Sequence, residues 1–358
     1  MESAIAEISP LESKEKVERK KAVLLDVRER DEWNAGHIPD AIHIPRGELE
    51  KKIEHQVPDK TTEIICQCRS GKRSLLAAQT LKQLGYTNVV SMNGGIEFWS
   101  ESGFPTEKKT LLSKQEEIRY THHLRLPEIG EEGQLKLKRA KVLIIGAGGL
   151  GSPAALYLTA AGVGTIGIVD DDAIEISNLQ RQILHTTDRM GKSKVESAQQ
   201  TLNALNPTIE IQIYNVRLTK ENASSLIAPY DIVINASDNF ETRYIINDIC
   251  LQLETPQLHG SVDQWEGEVT LFLSGKGCYR CLYPEAPTES CGCNERGVLG
   301  VIPGIIGTLQ ALEAIKWILG KGELLTQRLL RYNGLKGSFT EIMWKQDPHC
   351  QYCREKHV

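Results

Sequence analysis

At 358 residues the chain is too long for one average domain and comfortable for two. Hydrophobic residues make up 40% and charged residues 25%, as in an ordinary globular protein, and a net charge of -5 leaves no basic excess to neutralise nucleic-acid phosphates. The start carries Glu2 and Glu7 rather than a basic run and an apolar core, so no signal peptide is expected. The apolar stretch Val298–Leu319 is interrupted by Gln310, Glu313 and Lys316, and so reads as a buried helix rather than a membrane span.

Two α/β patterns follow one another. Ala22–Asp26 and Glu63–Gln67 are short apolar runs of the buried-strand type, and a helical stretch over Arg73–Leu84 stops at Gly85. Between the second run and that helix lies Cys68-Arg69-Ser70-Gly71-Lys72-Arg73-Ser74. A helix start leaves backbone N–H groups unpaired and a positive dipole end, and Arg69, Lys72 and Arg73 add cationic charge. Such a loop favours a thiolate and holds an anion near the sulfur, which suits a cysteine that carries a persulfide. The bland reading, a buried structural cysteine in a basic turn, carries much less weight.

The loop resembles the active-site loop of single-domain rhodaneses. Leu25-Asp26-Val27-Arg28 with Glu32, Gly36-His37-Ile38-Pro39, Ala41 and Pro45 agree upstream, and Gly94-Gly95-Ile96, Trp99, Gly103 and Pro105 agree downstream. The resemblance puts the catalytic cysteine at Cys68, with Arg73 on the same loop, and leaves Cys66 aside. A phosphatase of related fold needs C-x5-R, and Cys68…Arg73 is one residue short, so sulfur transfer is preferred. Gly103, Pro105 and the run Glu107-Lys108-Lys109 lead into an expected linker at 107–112.

Beyond it, Lys141–Ile145 reads as a strand entering a glycine-rich turn and then a helix over Ser152–Ala161. Thr165–Val169, Glu210–Asn215 and Asp231–Asn235 are the next strands. The alternation implies a mostly parallel sheet with helices on both faces. In Gly146-Ala147-Gly148-Gly149-Leu150-Gly151 the glycines permit a tight turn and close approach to phosphate, and Asp170 follows about 20 residues on, where an acid can bind ribose. That much also fits a nicotinamide-binding domain. Ser177-Asn178-Leu179-Gln180-Arg181, Lys194 in Gly191-Lys192-Ser193-Lys194, and Ser237-Asp238-Asn239 break the tie. Arg181 and Lys194 can hold a triphosphate and offset charge on a pyrophosphate leaving group, and Asp238 can bind Mg²⁺.

These residues resemble the MoeB/ThiF/HesA family, bacterial relatives of ubiquitin-activating enzymes. The resemblance implies that Gly148, Asp170, Ser177, Asn178, Leu179, Gln180, Arg181, Lys194, Asp238 and Asn239 hold ATP and magnesium. It implies a homodimer and a small ubiquitin-like sulfur-carrier partner whose Gly-Gly tail enters the nucleotide site. The family's Arg-Tyr-x-Arg stretch reads Arg119-Tyr120-Thr121-His122 here, so His122 or Arg125 has to substitute for the second arginine, or adenylation is weakened.

There are nine cysteines. Without an export signal they point to ligands or nucleophiles, and to the cytoplasm. Cys278/Cys281 and Cys350/Cys353 are two C-x-x-C knuckles that complete a tetrahedron of thiolates, so a structural Zn²⁺ is expected, as in the MoeB-like family. Cys250 lies on an apolar helical stretch and reads as core. By resemblance, Cys293 rather than Cys291 is the crossing-loop cysteine that links covalently to the carrier; a spare surface thiol is the alternative.

The expectation is an α/β chain: a rhodanese domain at 1–106, then a Rossmann-like adenylation domain at 113–358 with a mixed, mostly parallel sheet. It would adenylate a carrier's terminal glycine and transfer sulfur from a Cys68 persulfide charged by a persulfide or thiosulfate donor. The rivals are a conjugation enzyme making thioesters and a degenerate docking adaptor.

Overall fold

A computed structural model describes residues 5–107, 112–286 and 297–353. The chain divides into two compact units, Met1–Leu111 and Leu112–Val358.

In the first unit, β1 (Glu7–Ile8), β2 (Ala22–Asp26), β3 (Ile42–His43), β4 (Glu63–Gln67) and β5 (Val89–Met92) form a parallel sheet of order β1-β5-β4-β2-β3. Strands covered on both faces carry continuous apolar runs rather than alternation, which is why Glu63-Ile64-Ile65-Cys66-Gln67 reads as it does. Ile64 and Cys66 enter the core made with Leu25, Ala77 and Leu81, while Ile65 packs on the other face with Leu24, Met92 and Trp99. β4 is central and delivers its C-terminal end into the Cys68 loop. The following helix spans Lys72–Gln83, one residue ahead of expectation at each end, because Gly71 caps it in the left-handed conformation.

The second unit holds an eight-stranded mixed sheet of order β13-β12-β11-β10-β9-β6-β7-β8. Its parallel half is β6 (Lys141–Ile145), β7 (Thr165–Val169), β8 (Glu210–Tyr214), β9 (Ile232–Asn235) and β10 (Gln257–Asp263). β11 (Glu266–Phe272), β12 (Arg328–Asn333) and β13 (Ser338–Met343) add an antiparallel extension. In β6, Val142 and Ile144 face one core and Leu143 and Ile145 the other. From β6 the order runs outward to β7 and β8 on one side and to β9 and β10 on the other. The crevice between β6 and β9 is therefore a topological switch point, where such sheets bind ligands at the carboxyl ends of their strands.

The apolar late stretch is a helix, Val301–Leu319, packed on the sheet and on helix Gly151–Ala161. Gln310 and Glu313 are bonded inside the core, although Gln310 Oε1 has no partner among the described residues. Gln310 Nε2 donates to the Asn235 and Leu258 carbonyls at 2.9 and 3.2 Å, and Glu313 accepts from the Leu325 amide at 3.0 Å.

Candidate functional site

Three places gather the predicted chemistry. The first is the Cys68 loop. The thiol is 1% exposed and its Sγ accepts the Gly71 amide at 3.2 Å. Ser74 Oγ lies 3.6 Å from the sulfur, donates to the Gly71 carbonyl and accepts from Ser91 Oγ. The loop carbonyls are gripped from the next helix, where the Ile96 and Glu97 amides donate to the Cys68 and Arg69 carbonyls. Gly95 makes that approach possible. Its φ is +57°, and a Cβ there would stand 2.2 Å from the Cys68 carbonyl oxygen. Cys66 lies fully buried in the strand, and burial pushes its thiol well up, which keeps it inert beside the loop.

The loop's cations are not all free, as the sequence suggested. Arg73 forms a two-point pair with Glu32 at 2.7 Å on each arm, and Arg69 pairs with Glu97 at 2.7 Å. Among the described residues Lys72 is the one loop cation without an ion-pair partner. The Arg73 hydrogen bonds hold the Glu32 carboxyl down at about 2.

The second place is a cavity of ≈ 410 Å³ at the β6/β9 switch point. It brings together Gly148, Asp170, Arg181, Lys194, Asp238 and Asn239. Gly146 turns the chain at φ +105° under the Ala236 carbonyl, where a Cβ would come within 2.7 Å. Asp170 takes the Ala147 amide at 2.7 Å and the Asp172 amide at 3.0 Å. Burial raises its carboxyl, with Lys194 opposing at 3.9 Å. The Lys194 amine itself bonds Asp172 at 2.6 Å. Arg181 anchors on the Ser177 carbonyl at 3.0 Å.

Ser177–Gln180 do not line the cavity. Ser177 and Asn178 form a short 3-10 turn in which Asn178 caps the Glu175 amide, and the Gln180 backbone packs against Gly300. His122 and Arg125 are exposed, outside the lining. Sequence reasoning missed Asp172, Gln182, Val216, Arg217 and Leu218, which do line it. It also missed His185, a buried imidazole bridging the Ala147 carbonyl and Ser197 Oγ at 3.0 and 3.1 Å. The 216–218 segment has no motif of its own and arrives only because β8 flanks β7.

The third place is the cysteine cluster. The Sγ atoms of Cys278, Cys281, Cys350 and Cys353 all lie within 4.8 Å of one another, with Cys278–Cys281 at 3.9 Å, Cys278–Cys350 at 3.8 Å and Cys281–Cys353 at 3.4 Å. These are far beyond a disulfide bond of about 2.05 Å, and the four could hold one metal ion. Arg280, inside the first knuckle, pairs with Asp248 on both arms at 2.8 Å and lies between the Tyr244 and Tyr352 rings. Cys291 and Cys293 lie outside the described residues.

With these sites in view, likeness to known proteins becomes informative. A family model described as "ThiF family" matches residues 120–353, and one described as "Rhodanese-like domain" matches residues 9–102. The chain is 45% identical over 252 residues to the sulfur carrier protein adenylyltransferase of Thermus thermophilus, covering 68% of this chain and 93% of that one. It is 48% identical over 250 residues to the adenylyltransferase and sulfurtransferase MOCS3 of Anopheles gambiae, covering 69% and 57%, so it spans little more than half of that relative. It is 44% identical over 242 residues to the SAMP-activating enzyme E1 of Haloferax volcanii, covering 67% and 90%. Among solved structures, E. coli MccB with MccA-N7isoASN aligns with TM-score 0.59 and 25% identity over 66% of this chain and 74% of that one.

Proposed function

The chain belongs to the ThiF family and carries a rhodanese-like domain ahead of its ThiF domain; from this we propose that it adenylates the C-terminal glycine of a ubiquitin-like sulfur-carrier protein and converts it to a thiocarboxylate. The observation that carries the reading is the switch-point cavity, where the cations Arg181, Lys194 and Arg217 and the carboxylates Asp170, Asp171, Asp172 and Asp238 meet the glycine turn. A hydride-transfer site needs no such set. A reaction that expels pyrophosphate does, because negative charge grows on the leaving group and must be met by fixed cations.

In the first step a carrier carboxylate oxygen attacks the α-phosphorus of ATP, and the bond to pyrophosphate breaks. Arg181 and Lys194 stabilise the phosphates, Asp170 binds the ribose, and the Gly148 region lets the backbone approach. Asp238 and Asn239 also line the cavity and would hold Mg²⁺, which would supply charge neutralisation to the phosphates. Ser177–Gln180 act from behind by placing Arg181.

In the second step the outer sulfur of a Cys68 persulfide attacks the acyl carbon and displaces AMP. A donor of the thiosulfate or persulfide type recharges Cys68; with thiosulfate the leaving group is sulfite. A second thiol then attacks Cys68, forming a disulfide and releasing the thiocarboxylate; a cellular reductant resets the pair. Cys293, or Cys291 two residues before it, is the proposed second thiol. Splitting the exchange into covalent steps lowers each barrier.

The cysteine cluster is proposed to hold structural zinc. Zn–S bonds of about 2.3 Å in a tetrahedron give sulfur edges of about 3.8 Å, matching Cys278–Cys281 and Cys278–Cys350 at 3.9 and 3.8 Å, with Cys281–Cys353 shorter at 3.4 Å. Four protein thiolates leave no position for a catalytic water. We also place the chain in the cytoplasm as a homodimer, where free thiols persist.

Carrier-dependent ATP–pyrophosphate exchange tests the first step. Exchange should need a carrier ending in Gly-Gly and should be lost in Asp238→Ala; no exchange with any such carrier contradicts the reading.

A further inference from the structure

Helix Phe240–Leu253 lines the nucleotide cavity through Thr242 and bonds the Cys278–Cys281 knuckle through Asn247 and Asp248. At its N-terminal end, Asn239 caps it by accepting the Thr242 amide at 2.9 Å, and Arg243 donates through Nε and Nη2 to the Ser237 carbonyl at 3.4 and 3.2 Å. Ser237 is fixed from the other side too, its amide and hydroxyl both bonding Asn235 Oδ1. Asp238, the cavity's carboxylate on this turn, is thus held by residues on each side of it. One turn further along the same face, Asn247 accepts the Tyr279 amide at 2.8 Å, and the next residue, Asp248, takes the Arg280 guanidinium. Tyr279 and Arg280 are the two residues between Cys278 and Cys281.

Arg243 is 8% exposed. Its partners among the described residues are neutral: the Ser237 carbonyl, the Phe240 ring at 5.1 Å and the Tyr279 side chain. A buried guanidinium without a carboxylate is costly to keep. The fully buried His259 ring packs on the Tyr279 ring at 5.0 Å, and neither of its nitrogens has a hydrogen-bond partner among the described residues. A cation retained in such surroundings is better explained by what it positions than by stability.

We propose that this helix couples metal occupancy of the cysteine cluster to nucleotide affinity, with Arg243 as the positioning residue that sets the Ser237–Asn239 turn. The metal fixes the knuckle, the knuckle fixes the helix through Asn247 and Asp248, and the helix aims Arg243 at the Ser237 carbonyl. The proposal rests on the adenylation reading. It goes beyond it by giving the cluster an energetic link to a site whose residues it does not share.

The test is MgATP affinity by titration calorimetry on the full chain, zinc-loaded and after chelation, for wild type, Arg243→Met and Arg243→Lys. Circular dichroism and metal content are followed in parallel. Coupling between two sites commonly spans roughly 5–150-fold in affinity. We expect chelation to weaken MgATP about tenfold in wild type and to leave Arg243→Met nearly unmoved. Zinc-loaded Arg243→Met should already bind as weakly as stripped wild type, and Arg243→Lys, which keeps the charge without the two-point grip, should fall between. Equal chelation effects in wild type and Arg243→Met, or none in wild type, overturn the proposal. If the stripped protein does not fold, the zinc-loaded arm decides alone: unchanged affinity in an Arg243→Met protein of full metal content overturns it. Absence of MgATP binding by zinc-loaded wild type sinks the adenylation reading itself, and the coupling with it.

Discussion

Arg73 and Glu32 meet across 41 positions of sequence in a pair that the loop motif alone does not announce. A cationic loop beside a cysteine can be read from residue types. Which of its cations is already spent on a carboxylate depends on how strands pair, and that is a tertiary fact. The pair has a pH signature. Glu32 is depressed from 4.5 to about 2, first by the Arg73 hydrogen bond. A carboxylate depressed on folding contributes stability that is fully present above its unfolded value and is lost as pH falls through its folded value. The front unit should therefore lose stability between pH 4.5 and about 2, and Glu32→Gln should flatten that limb. Thermal unfolding across the range decides, and an identical acid limb in the variant contradicts the assignment. Gly95 gives a second prediction at this scale. Its Cβ would collide with the Cys68 carbonyl from a left-handed backbone, so Gly95→Ala should cost about 1–3 kcal/mol in local strain and depress thiosulfate sulfurtransfer sharply. A wild-type rate would show that the loop does not depend on this contact.

Among the elements, the parallel strands were legible nearly to the residue. β2, β4, β6 and β7 fall on their predicted spans, because a strand buried on both faces leaves an apolar run bounded by polar loops. The antiparallel extension carries no such signature. β13 is exposed along its whole length, so it carries no burial pattern to read. The cysteine knuckles announced themselves by spacing, whereas the Arg280 clamp between Tyr244 and Tyr352 needed the fold to bring residues from three segments together. Metal binding to thiolates is folding free energy, so Cys353→Ser should lower both metal content and unfolding temperature of the second unit. Hydrogen exchange should rise first over Trp344–Cys350 and over Cys278–Leu282, ahead of the parallel strands. Protection lost uniformly across the sheet would argue against a local staple.

At the scale of the molecule, the proposed function joins two chemistries that mutation should separate. The proposed nucleotide residues sit in the ThiF-matched unit and Cys68 sits in the rhodanese-matched one. Cys68→Ala should therefore keep carrier-dependent pyrophosphate exchange while abolishing sulfur transfer. The most direct measurement is intact-mass spectrometry of a carrier ending in Gly-Gly, incubated with the full chain, MgATP, thiosulfate and a reductant. Wild type should convert the carrier to a species in which one oxygen is replaced by sulfur, and Cys68→Ala should stop at the adenylate. A carrier mass that never changes, or equal thiocarboxylate from the Cys68→Ala protein, would contradict the account.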